Sequence, residues 1–179
     1  MKNTFLKTIG KAALAILMLA MFAQISVSAQ NINDSQSDKQ ITEDTQESLS
    51  NGQRLEGTWD VQVTIRNCQT GTAIRTFPSI GTFMSGGTMS DSTSGTPQAL
   101  KTPGHGIWSY IGGRNYRFKF KSFSFDASGN PTGWTIISHE ANLNHRANEY
   151  VSAGIAEVYN MNGNLIFTGC STTTATRFE

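Results

Sequence analysis

Apolar and polar residues alternate with a period of two along several runs of this chain from residue 57 onward. In the run 57–66 (GTWDVQVTIR), one tryptophan, two valines and one isoleucine fall on one face of an extended strand, and the residues between them are polar. The runs 115–121 and 137–143 alternate in the same way. Strands with one apolar and one solvated face are typical of antiparallel sheets. The pattern therefore predicts an all-β domain.

Turn-forming residues divide this domain into eight predicted strands. Glycine, asparagine and proline cluster between the runs, for example at 126–133 (DASGNPTG) and 160–164 (NMNGN). The connections are short except for 91–104, which we expect to form a loop over one end. Eight strands joined in this order can form a closed antiparallel up-and-down β-barrel, which leaves no exposed edge. The predicted strands are 57–66, 73–84, 87–92, 105–111, 115–125, 133–145, 148–159 and 164–177.

The start of the chain has the features of a secretory signal peptide. Three lysines flank or precede the apolar run 12–22, which is too short to span a bilayer because a helix needs about 20 residues to do so. Small residues at 27–29 offer a cleavage site. The following stretch is acidic and almost free of large apolar side chains, so we expect it to be disordered. These features predict a signal peptide at 1–29, a polar tail at 30–54 and one barrel domain at 55–179, in a secreted or periplasmic protein.

The positions of the two cysteines indicate whether the first and last strands pair to close the barrel. Cys68 and Cys170 are the only cysteines of the chain, and export would place them in an oxidising compartment, so we expect a disulfide. If the first and last strands pair antiparallel, the residue numbers of each pair have a constant sum. That sum is 238 for the cysteines and 236 for Trp59 with Arg177. Two independent features therefore predict one register, to within two residues, between the first and last strands.

The Gly-Thr-Trp sequence at 57–59 and the arginine at 177 resemble the structural signature of the calycin superfamily, the lipocalins and their relatives. In that superfamily the tryptophan of a Gly-x-Trp motif plugs the closed end of the barrel. A basic residue from the last strand packs over its ring as a cation–π contact. The resemblance implies a lipocalin-like fold in which Gly57, Trp59 and Arg177 are structural residues rather than catalytic ones.

An eight-stranded barrel is wide enough either to be filled by its own side chains or to hold one small ligand, and the sequence leaves both possibilities open. Aromatic residues in the interior could pack on an apolar ligand, and a histidine or acid there could contact its polar group. The candidate ligand contacts are Tyr110, Phe118, Phe120, His139 and Glu157.

Two of these candidates have ordinary alternatives. His139 shares a strand face with apolar residues, so it could equally be a core histidine whose hydrogen bonds are satisfied. Burial would raise the pKa of Glu157, but the opposite parity of its strand would place Tyr150, Ala156 and Val158 inward and Glu157 in solvent. A metal site is not expected, because His139 and His145 lie about 20 Å apart on an extended strand. No catalytic motif and no cofactor-binding motif is present.

The domain 55–179 contains nine Lys and Arg residues against eight Asp and Glu, so it lacks the basic excess of a nucleic-acid-binding protein. Our leading hypothesis is a secreted barrel that binds a small apolar ligand. The alternatives are a barrel-type cyclase or isomerase that uses His139, Glu157 and Tyr110, and a structural or surface-interaction protein. An outer-membrane barrel has the same strand period, but the charged face opposite an aromatic face argues against stable membrane insertion. The sequence leaves the oligomeric state open.

Overall fold

A computed structural model describes residues 52–179, and the predicted signal peptide and most of the predicted polar tail lie outside them. Within these residues, eight antiparallel strands form a closed barrel in which each strand pairs with the next and β8 pairs with β1. The predicted all-β, closed, eight-stranded up-and-down architecture is confirmed. The strands are β1 Gly57–Arg66, β2 Ala73–Phe83, β3 Thr88–Thr93, β4 Gly104–Gly112, β5 Asn115–Phe125, β6 Pro131–Leu143, β7 Glu149–Asn160 and β8 Leu165–Arg177.

The seam between β1 and β8 has the register that the sequence predicts. Trp59 pairs with Arg177 at one end of the seam, and Arg66 pairs with Cys170 at the other, so every pair sums to 236. The predicted disulfide between Cys68 and Cys170 is present. The cysteine sum differs by two because Cys68 lies beyond the last residue of β1. The disulfide therefore joins the β1–β2 turn to β8 where strand pairing along the seam stops.

Trp59 closes one end of the barrel. It is fully buried, and its indole N–H donates to the carbonyl of Leu55 at 3.0 Å. The Arg177 guanidinium lies 4.4 Å from the centre of the indole ring, the arrangement that the calycin resemblance implies. Leu55 ends a short 3-10 helix, Gln53–Leu55, which covers this end. Residues 52–54, which lie within the predicted polar tail, are therefore part of the closed end.

Aromatic rings fill the half of the barrel next to Trp59. Phe83 contacts Trp108, Phe118 and Tyr150 edge to face, with centroid distances of 6.0, 5.5 and 6.0 Å. The inward residues of β1, β5 and β6 are those that the alternation predicts. The buried apolar core consists of Leu55, Trp59, Val61, Phe83, Met89, Trp108, Tyr116, Phe118, Phe120, Ala141, Leu143, Tyr150 and Ala175.

The opposite end is crossed by the long connection between β3 and β4, residues 94–103. A second 3-10 helix, Gln98–Leu100, lies within it. The backbone of this loop is anchored to β2 by the Ser94 N–H on the Pro78 carbonyl and to β5 by the Thr102 N–H on the Phe123 carbonyl, both at 3.0 Å. The predicted position of the long loop, over one barrel end, is thus observed. In the described part of the chain, no helix has the length and apolar character needed to cross a bilayer.

Candidate functional site

The barrel interior contains a cavity of about 300 Å³ between the aromatic core and the 94–103 loop. Its apolar wall includes Val63 and Ile65 of β1, Phe77 of β2, and Phe120 and Ile137 of β5 and β6. A volume of this size is about ten times the share of one water molecule in liquid water. It lies at the lower end of the range for small-molecule sites in proteins. The interior is therefore filled near Trp59 and hollow towards the loop.

Three of the five candidate ligand contacts line this cavity, namely Phe118, Phe120 and His139. The other two lie elsewhere. Tyr110 packs on Tyr116 at 5.4 Å and donates its hydroxyl to the Gly113 carbonyl at 3.2 Å, near the closed end. Glu157 follows a cavity-lining alanine on β7, so its side chain is on the outer face of the barrel. The parity with Tyr150 and Ala156 inward is the one observed.

His139 is held in a buried hydrogen-bond network. Its Nδ1 lies 2.7 Å from the Ser152 hydroxyl and its Nε2 lies 2.8 Å from the Ser171 hydroxyl. The Ser152 hydroxyl is in turn 2.6 Å from that of Thr173. The ring stacks on Phe118 at a centroid distance of 5.4 Å. Burial lowers the pKa of His139 to about 4, so the imidazole is neutral at neutral pH, with one nitrogen donating and the other accepting.

This geometry bears on the enzymatic alternative. Both ring nitrogens of His139 hydrogen-bond to serine hydroxyl groups, so the ring presents no unpaired nitrogen to the cavity. The other two residues of that hypothesis, Tyr110 and Glu157, do not line the cavity. The three residues of the cyclase or isomerase hypothesis are therefore not brought together in the cavity.

Asp91, an acidic residue that is not among the five candidates, lies in the opposite wall. The Ser79 hydroxyl donates to Oδ2 of Asp91 at 2.6 Å, and Nζ of Lys101 lies 3.6 Å from Oδ1. The two charged side chains are only 12% and 15% exposed. Desolvation raises the pKa of Asp91, while the Ser79 hydrogen bond and the Lys101 charge oppose that shift. A sequence signal did exist, because Asp91 is two residues after the inward Met89.

Two further hydroxyl groups of the cavity wall belong to Ser122 and Tyr150. The Ser122 side chain is 1% exposed, and its oxygen makes no hydrogen bond within residues 52–179. The hydroxyl of Tyr150 reaches across the interior to β2, where a methyl group added at Gly81 would lie 4.0 Å from it. Burial raises the pKa of Tyr150, and the nearby Asp91 carboxylate adds to that effect. The absence of a side chain at Gly81 leaves space beside this hydroxyl.

Fold and site together define a hollow antiparallel barrel that is plugged at one end and has an amphipathic interior. Among the described residues, no group of three or more His, Cys, Asp or Glu side chains is placed to hold a metal ion. The chain matches no model of a known protein family, and it has no significant match among curated proteins.

Proposed function

We propose that this protein is an exported, calycin-like binding protein that holds one small, largely apolar molecule inside its barrel. The observation that carries the proposal is the cavity of about 300 Å³, whose surface is largely apolar. Protein interiors are packed as densely as organic crystals and rarely contain voids larger than a water molecule. A hollow of this size, in a barrel whose other half is tightly filled, favours a binding site over a packing defect.

Two further features support the calycin-like part of the proposal. The Arg177–Trp59 contact and the short helix at Gln53–Leu55 plug one end, so a ligand would enter from the end that carries the 94–103 loop. The Cys68–Cys170 disulfide fits an oxidising compartment and so supports export. The apparent signal peptide of the sequence supports the same localisation.

A cavity-filling substitution tests this function. Val63 of β1 faces the cavity and Gln62 beside it is exposed on the outer face, so V63F and Q62F add the same aromatic ring to opposite sides of one strand. Binding is measured with an environment-sensitive apolar dye and by native mass spectrometry of the purified mature protein. We expect one molecule bound per chain, at least tenfold weaker binding by V63F, and unchanged binding by Q62F.

The inward Ala156 provides a second filling variant, A156F, from the opposite wall. Thermal unfolding of each variant identifies those that keep the native fold, and only these are compared. Failure of the wild-type protein to take up any apolar probe, or equal uptake by a folded V63F or A156F, would overturn the proposed function.

A further inference from the structure

The hydrogen-bond network around His139 contains one more donor than it uses. The neutral imidazole has one N–H, and Ser152, Ser171 and Thr173 have one O–H each, which makes four donor protons. These groups make three hydrogen bonds with one another. When the chain of bonds runs in one direction, the unused proton is on Thr173 if Nδ1 is protonated and on Ser171 if Nε2 is protonated. Both of these hydroxyl groups line the cavity.

Two more unused donors lie on other parts of the same wall. They are the hydroxyl groups of Ser122 on β5, whose oxygen is buried without a hydrogen-bond partner within residues 52–179, and of Tyr150 on β7, which faces the cavity. Leaving a buried hydroxyl unpaired costs about 1–3 kcal/mol, so native interiors pair nearly all of them. Three uncommitted O–H donors around one cavity are therefore a feature that a bound molecule with oxygen acceptors would satisfy.

The charges of the wall distinguish between kinds of acceptor. Asp91 lies close enough to the Tyr150 hydroxyl to raise its pKa, so an anionic group placed at that hydroxyl would face a buried carboxylate. Lys101 is paired with Asp91, so neither charge is free, and Arg75, the other cation of the cavity wall, is exposed and lies over the Phe77 ring at 5.3 Å. An uncharged oxygen avoids this repulsion, and a ligand hydroxyl could accept from Tyr150 and donate to Asp91.

We propose that the ligand is an uncharged oxygenated molecule, a ketone, ester or alcohol with an apolar body, whose oxygen atoms accept hydrogen bonds from Tyr150, Ser122 and the His139 network. This inference rests on the proposed binding function and specifies the class of ligand. A pure hydrocarbon would leave the three donors unpaired, and a carboxylate at the Tyr150 hydroxyl would lie near Asp91, with Lys101 already engaged in the ion pair.

A series of ten-carbon probes tests this class: decane, 2-decanone, 1-decanol and decanoate, each measured by displacement of the apolar dye and by native mass spectrometry. We expect the ketone and the alcohol to bind at least tenfold more tightly than decane and decanoate. The variants Y150F and S122A should each reduce that preference about fivefold, the value of one hydrogen bond, without weakening decane.

Tyr159 and Ser138 face outward on β7 and β6, so Y159F and S138A are matched controls that should leave all four affinities unchanged. Failure of every probe to bind would contradict the proposed function itself. Binding of decane as tightly as the ketone, or tightest binding of decanoate, would overturn the ligand class while leaving a binding barrel in place. A preference for the ketone and the alcohol that survives in folded Y150F and S122A would overturn the role of those hydroxyl groups.

Discussion

Replacing Arg177 tests how strongly the closed end stabilises the barrel. Its guanidinium donates to the carbonyls of Glu56 at 2.7 Å, Arg54 at 2.8 Å and Ala147 at 2.9 and 3.0 Å, and it also covers the Trp59 ring. The variant R177M keeps much of the apolar stem and removes every one of these contacts. Three carbonyl oxygens then lose their charged partner, at about 1 kcal/mol each for this half-buried site. Loss of the cation–π contact adds about 1 kcal/mol.

We therefore expect R177M to lower the free energy of unfolding by about 4 kcal/mol and the Tm by roughly 15 °C for a domain of this size. R177K keeps the charge without the planar fork of donors, so it should fall between R177M and the wild type. Urea unfolding followed by tryptophan fluorescence, together with thermal unfolding by circular dichroism, measures both quantities.

Arg117 provides a matched control on the barrel surface. Its ion pair with Glu140 has a donor–acceptor distance of 2.8 Å, but the two side chains are 61% and 64% exposed. Because exposed ion pairs contribute 0–1 kcal/mol, R117M should cost less than about 1 kcal/mol. A loss of less than about 1 kcal/mol in R177M, or an equal loss in R117M, would contradict a stabilising role of Arg177 at the closed end.

Two further predictions concern the disulfide and the buried histidine. Replacing Cys68 and Cys170 with serine should lower the free energy of unfolding by about 4–5 kcal/mol, because the bridge spans 102 residues of sequence; an unchanged urea midpoint would contradict this. The pKa of His139 is lowered to about 4 in the folded barrel and is near 6.5 in an unfolded chain, so the unfolded state binds more protons between these values. The stability due to the neutral ring should therefore be complete above pH 6.5 and be lost as the pH falls towards 4, by about 3 kcal/mol in total. H139Q should flatten that pH dependence, and an NMR titration of His139 that gave a pKa near 6.5 would contradict it.

The fold could be predicted because its main determinants are local or pairwise. Alternation fixes which side chains of a strand share a face, and turn residues fix where each strand ends. The register of the seam followed from Trp59 and Arg177, which pair directly. The cysteines gave a sum two higher because a disulfide can join a turn to a strand, so its residues need not be a hydrogen-bonded pair.

The polar interior was only partly predictable, since it depends on which residues of different strands reach the same height in the barrel. Parity alone predicts that Tyr150 can point inward, but not that its hydroxyl arrives beside Gly81 on a distant strand. The predicted loop 91–104 includes Asp91, whereas in the structure Asp91 belongs to β3 and lines the cavity. Ser171 and Thr173 carry no sequence signal apart from alternation, and their importance comes from their distance to His139.

Contacts at both ends of the β1–β8 seam stabilise the first and last strands of the barrel against local unfolding. Terminal strands ordinarily separate first. Here Arg177 holds one end of the seam, and the Cys170 bridge holds the other. The strand pair with the fewest paired residues is instead β3–β4, which has four residue pairs, whereas β1–β8 has eight. Amide hydrogen exchange should accordingly begin in the six-residue strand β3, in the middle of the sequence, while the two termini of the barrel remain protected.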